Sequence, residues 1–177
     1  MNTALRLGSV AAALLALTVA APAATAAETP TATVSVQGVA VDTHASAGTK
    51  RIIAADAGVA AAAANVCGAG YTISVSAARY GTYGTTYTWT NGKTTGSNYE
   101  DRPICAVFFN DTGTAHSMRL KLSDNYTATP DVEDSGTFSE YAGPLYQNKG
   151  YCGQTYSYMK VGSTVVVDNY MRIGACD

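Results

Sequence analysis

From Cys67 onward, apolar and polar residues alternate with a period of two. Tyr71-Thr72-Ile73-Ser74-Val75-Ser76-Ala77 sets Tyr71, Ile73, Val75 and Ala77 on one face of a strand. Residues 85–90 put Tyr87 and Trp89 on one side and threonines on the other, and Asn91-Gly92 supplies the positive-φ dipeptide of a tight hairpin turn. Ile104-Cys105-Ala106-Val107-Phe108-Phe109 is a continuous apolar run, as in a central strand buried on both faces. Asn110-Asp111-Thr112-Gly113 turns the chain into residues 117–122, where Met118, Leu120 and Leu122 face in and Arg119 and Lys121 face out. Further strands are predicted around residues 136–141, 145–147, 153–159, 164–167 and 170–173, with no helix in this part. About seven to nine short strands with turn signals every ~8–12 residues predict an all-β fold, a β-sandwich over residues 67–177.

Residues 28–66 read differently. They hold no cysteine, no Phe, Tyr or Trp, and an alanine tract at 60–64. Residues 33–41 alternate like a strand, 42–49 form a polar spacer, and 50–65 suit a helix that Gly58 weakens by about 1 kcal/mol. One reading is a disordered leader or a pro-segment trimmed after export. The other is a flexible N-terminal arm that docks on a partner, because a lone apolar strand satisfies its backbone groups only by joining another sheet. Val34, Val36, Val39, Val41, Ile52 and Ile53 are then the candidate partner-binding residues, and removing the arm is expected to abolish association while leaving the sandwich folded.

Residues 1–27 have an early positive charge (Arg6), an apolar run over 10–21 and small residues before Glu28, the layout of a secretion signal peptide. No later stretch approaches the ~20 apolar residues of a membrane span. With 11 Lys and Arg against 13 Asp and Glu and no basic cluster, a nucleic-acid partner is excluded. Cys67, Cys105, Cys152 and Cys176, an even number in an exported chain, predict two disulfides. Four cysteines allow three pairings that sequence alone does not separate. The sequential one, Cys67–Cys105 with Cys152–Cys176, is the expectation carried forward. A zinc site is disfavoured, since no C-x-x-C occurs and both histidines are remote from the cysteines in sequence.

Candidate catalytic groups are sparse. His44 lies in the arm, and His116 shares the parity of Met118 and Leu120, so it reads as a packed histidine; Ser117 beside it faces the other way. No G-x-S-x-G is present. Asp124, Asp131, Glu133 and Asp134 form the densest acidic segment, which lacks EF-hand spacing and reads as a solvated loop rather than a calcium site. Glu100-Asp101-Arg102 offers a carboxylate pair of unset separation. Asn110-Asp111-Thr112 and Asn125-Tyr126-Thr127 match the glycosylation pattern and read as turns. The expectation is therefore no enzyme, no cofactor and no metal. Twelve tyrosines against three phenylalanines leave an alternative, a carbohydrate- or cell-wall-binding face of Tyr80, Tyr83, Tyr87, Trp89 and Tyr99. A hydrolase or inhibitor centred on His116 or Glu100 is the third hypothesis.

Several motifs carry a family resemblance. Cys67-Gly68-Ala69-Gly70-Tyr71 resembles an opening C-G-x-G-Y, and Cys105-Ala106-Val107 a central cysteine strand. Asp134-Ser135-Gly136-Thr137-Phe138-Ser139-Glu140-Tyr141-Ala142-Gly143-Pro144 is close to D-S-G-x-[FY]-x-x-Y-A-G-P. Gly150-Tyr151-Cys152 and Gly174-Ala175-Cys176 complete the frame. Over residues 67–176 the chain thus resembles the spore-associated protein A family of secreted actinobacterial proteins. It departs from that family in its longer arm, and in Gly153-Gln154-Thr155-Tyr156 where a tryptophan often follows the third cysteine. The resemblance implies an exported, disulfide-bonded, non-catalytic β domain with no active-site residues to transfer. The layout of arm plus small domain is also similar to the adaptor subunits of umbrella toxin particles, which link a lectin-bearing subunit to a stalk. Together these lead to an adaptor or surface component whose arm docks on other secreted proteins, at the spore or cell surface or in an extracellular toxin particle. A cell-wall or surface glycan is the alternative partner.

Overall fold

In the computed structural model, which describes residues 31–98 and 100–176, the first elements form a hairpin of β1 (Thr33–Val36) and β2 (Val39–Asp42). The segment assigned as a signal peptide lies outside the described residues. Gln37 and Gly38 turn the hairpin at φ of 49° and 83°, the two positive angles that a two-residue turn between right-twisted strands demands. Two helices follow, α1 (Ala47–Ala55) and α2 (Ala57–Cys67). The Ser46 hydroxyl caps α1 by accepting from the Thr49 N–H at 3.0 Å. Asp56 caps α2, its carboxylate accepting from the Val59 N–H at 3.1 Å. The single helix predicted over 50–65 is therefore broken at Asp56, which ends one helix and starts the next.

Eight strands complete the chain: β3 (Ile73–Tyr80), β4 (Gly84–Thr90), β5 (Ile104–Asn110), β6 (His116–Ser123), β7 (Val132–Phe138), β8 (Tyr141–Gln147), β9 (Gln154–Val161) and β10 (Thr164–Arg172). They form a β-sandwich of two sheets, six strands in the order β1-β2-β3-β4-β5-β8 and four in the order β10-β9-β6-β7. All neighbouring pairs are antiparallel except β2 and β3, which run parallel with Ala40 opposite Ile73 and Val41 opposite Ser74. A parallel pair needs a long crossover, and α1 and α2 supply it. The segment expected as a flexible arm does contain strand and helix. Over residues 31–66, however, it is seated on the chain's own sheet, where β2 and the helices find partners for their backbone groups and apolar positions.

Local corrections follow from pairing. Residues 91–103, not a two-residue turn, connect β4 to β5; Asn91 accepts from the Lys93 N–H through its side-chain oxygen at 2.9 Å and bends the chain away. The acidic segment read as a loop is a loop over residues 124–131, whereas Glu133 and Asp134 lie in β7, opposite Lys121 and Leu120 of β6. The two strands predicted over 164–167 and 170–173 are one strand with an irregularity between Val165 and Val167.

There are two apolar layers. Between the sheets, Val75, Ile104, Ala106 and Phe108 meet Met118, Leu120, Leu122, Met159 and Val167. On the other side of the six-stranded sheet, Ala77, Tyr87, Trp89, Cys105 and Val107 are covered by Ile53, Ala60 and Ala63 of the helices, with Val39 and Val41 alongside. Alternate residues of β5 thus serve different layers, which is why its apolar run is unbroken. Small alanines let the helices close on the sheet, and each large side chain so covered contributes about 1.5–3 kcal/mol. Cys67–Cys105 ties the end of α2 to β5 with Cα atoms 5.9 Å apart, and Cys152–Cys176 ties the approach to β9 to the C-terminal segment at 5.6 Å. This is the sequential pairing.

Candidate functional site

The six candidate residues of the N-terminal segment share one layer but not one fate. Val39, Val41 and Ile53 are buried in the chain's own core and are not available to a partner. Ile52 and Val36 are half-buried against that core, and Val34 is 39% exposed. Val34 and Val36 lie on β1, the outermost strand of the six-stranded sheet; among the described residues no strand pairs with its far side. In a two-residue hairpin the closing pair, here Val36 and Val39, is hydrogen-bonded and the pairs then alternate. The backbone groups of Val34 and Val36 are therefore taken by β2, while those of Thr33 and Ser35 point away from the sheet. The strand carries no charge and no proline, the usual guards of an open edge.

The proposed aromatic face does not assemble. Tyr87 and Trp89 are 0% and 1% exposed, sealed beneath the helices. They share a face, as the alternation predicts, but α1 and α2 lie over it. Tyr80 packs edge-on against Phe108, ring centroids 5.8 Å apart. Tyr83 is exposed in the turn before β4, and Tyr99 lies outside the described residues.

The candidate catalytic groups are dispersed into local contacts. His44 is exposed, with its Nδ1 3.2 Å from the Asp42 carboxylate. His116 Nε2 lies 3.0 Å from the Thr114 hydroxyl. Asp101 is buried: the Tyr126 hydroxyl donates to it at 2.5 Å, and Lys149 Nζ lies 3.3 Å away. The Tyr126 hydrogen bond first, and Lys149 after it, hold the Asp101 carboxyl below the ordinary carboxylate range. In the acidic segment, Lys121 pairs with Asp131 at 2.6 Å, Arg119 with Glu133 at 3.2 Å, and Asp134 accepts from the Gly143 N–H at 2.8 Å. Among the described residues, no three His, Cys, Asp or Glu side chains converge as a metal site would require.

A surface that sequence reasoning missed lies on the outward face of the four-stranded sheet. Register places Tyr170 of β10 beside Tyr156 of β9, which stands beside Lys121 of β6. Asp168, Tyr158, Arg119 and Ser135 form the next row. The rings of Tyr156 and Tyr170 are 4.7 Å apart at 38°, and the Tyr156 hydroxyl donates to Asp168 at 2.9 Å. Partial burial is the main reason the Tyr156 phenol titrates above its ordinary value. Beside these rings is a groove of about 590 Å³ lined by Ser117, Arg119, Ser135, Thr137, Tyr156 and Tyr158 among others. The signal was present as Tyr156 and Tyr158 two residues apart, opposite in parity to Ser157 and Met159.

Two disulfides point to an oxidising environment, and among the described residues no helix is long and apolar enough to cross a membrane. No family model matches the chain, and neither a curated protein nor a solved structure matches it significantly.

Proposed function

We propose that this chain is a secreted, non-catalytic protein–protein interaction module that takes up a strand of its partner along β1. The observation that carries this reading is the open edge of the six-stranded sheet, where Thr33 and Ser35 present backbone donors and acceptors outward. Val34 lies at the rim of the helix-covered core and offers an apolar side chain for the added strand to cover. The resemblance to the spore-associated protein A family and the oxidised cysteines support an extracellular setting, a spore surface or a toxin particle. The docking element is thus the edge strand of the arm, with Ile53, Val39 and Val41 as its support.

The test is recovery of tagged protein from the producer's culture fluid, in parallel with a Ser35→Pro variant. Proline at position 35 deletes an outward N–H and leaves the bonds to β2 in place. A stoichiometric partner that co-purifies with the parent and is lost from the variant, at unchanged melting temperature, is the expected result. Recovery of both as lone monomers would overturn the reading.

A further inference from the structure

We propose that the outward face of the four-stranded sheet binds an extended, uncharged polysaccharide, its sugar rings stacked on Tyr156, Tyr158 and Tyr170. This site is independent of the β1 edge. Sugar rings are amphipathic: their C–H faces are apolar and their rims carry hydroxyls. A matching surface needs aromatic faces alongside groups that both donate and accept. Tyrosine supplies a flat ring with a polar tip. Around the rings, Ser117, Ser135 and Thr137 supply hydroxyls, and Arg119 a planar fork of donors.

The dimensions favour a chain over a single sugar. Neighbouring strands lie about 4.8 Å apart, and successive outward residues on one strand about 6.5–7 Å apart. Tyr170 and Tyr156 stack on each other across adjacent strands, ring centroids 4.7 Å apart, and Tyr158 stands two residues along β9, so the aromatic surface extends beyond one sugar ring. Both flanking tyrosines of the stacked pair are on paired strands, and the Tyr156 hydroxyl is anchored to Asp168, so little freedom is lost on binding.

Charge selects against the other occupants. Arg119 and Lys121 are each paired across strands, to Glu133 and Asp131, and Lys160 and Arg172 stand apart at opposite ends of the face, so it offers no continuous row of unopposed cations to a nucleic acid or another polyanion. The same charged groups sit in the middle of the face, whereas the middle of a protein–protein interface is depleted of charge.

The experiment is calorimetric titration of the intact, disulfide-bonded protein with cellohexaose and with chitohexaose. The variants are Tyr158→Thr, which keeps strand preference, Tyr170→Ala, at a residue 60% exposed, and Tyr83→Thr as a control outside the face. The expected result is saturable binding of at least one oligosaccharide, weakened about tenfold or more (~1.4 kcal/mol) in Tyr158→Thr and Tyr170→Ala. Tyr83→Thr and Ser35→Pro should bind like the parent. No saturable heat with either sugar would overturn the proposal, as would binding that survives both substitutions in the face or fails in Tyr83→Thr.

Discussion

Asp42 on β2 accepts a hydrogen bond from the hydroxyl of Tyr151, 109 positions further along the chain, at 2.9 Å. Both residues are 1% exposed. The Arg102 guanidinium lies 3.7 Å from the same carboxylate oxygen and 4.9 Å from the centre of the Tyr151 ring. Breaking a buried charge pair by removing one member costs about 3–5 kcal/mol, and losing one buried hydrogen bond about 1–2 kcal/mol. Asp42→Ala is therefore expected to cost the larger amount and Tyr151→Phe the smaller in urea unfolding. The double variant should cost less than the sum, since the two act in one network. An Asp42→Ala protein within 1 kcal/mol of the parent would contradict this account.

Deleting residues 1–66 is expected to unfold the β domain, the reverse of what a detachable arm implies. The deletion strips Ile53, Ala60 and Ala63 from the sheet and exposes Tyr87, Trp89 and Val107 to water. Trp89 is the chain's single tryptophan, so its fluorescence reports directly. Blue-shifted emission in the parent and red-shifted emission or aggregation in the truncated chain is the expected pair of results.

Acid should weaken the fold through Asp101. Its carboxyl is held below the ordinary carboxylate range by Tyr126 and Lys149, and Asp131 is held down in the same way by Lys121 and Ser123. A carboxyl whose folded pKa lies below its unfolded one stabilises the fold above the unfolded value, and that contribution disappears as pH falls through the folded value. Stability should therefore drop below about pH 4. Asp101→Asn should flatten the pH profile there more than Asp131→Asn, whose ion pair is more exposed to solvent. Equal slopes in the parent and Asp101→Asn would refute this.

The two disulfides should differ in lability. Cys67 and Cys105 are 3% and 0% exposed, whereas Cys152 and Cys176 are half-buried. Thiol exchange needs access to sulfur. Mild reductant followed by alkylation and mass mapping should label Cys152 and Cys176 first. Replacing either pair by alanine should cost about 3–4 kcal/mol in the chain-entropy picture.

Strand parity was legible in the sequence; the identity of the buried faces was only partly so. Tyr87 and Trp89 do share a face of β4, and Thr86, Thr88 and Thr90 the other, yet every residue of β4 is buried. Its threonines face the space between the sheets, where the Thr86 hydroxyl lies 2.7 Å from that of Ser157. Alternation names the residues that lie together and does not say what covers them. The helices that cover Tyr87 are rich in alanine, with weak amphipathic contrast, so nothing in residues 57–67 announces a packed face. Tyr156 and Tyr158 were missed for the complementary reason: their parity was plain, but only the register of β9 with β6 and β10 shows that their face is the outward one.

The parallel pairing of β2 with β3 also sets an order of assembly. Synthesis runs from the N-terminus, so the β1–β2 hairpin emerges before β3, the strand it joins, and the helices before the sheet they cover. Asp42 waits long for its partner, because Tyr151 is among the late arrivals. Such long-range closure is slow. Closure of the Asp42 network therefore waits until most of the chain is made, which lengthens the interval in which proteases can reach it.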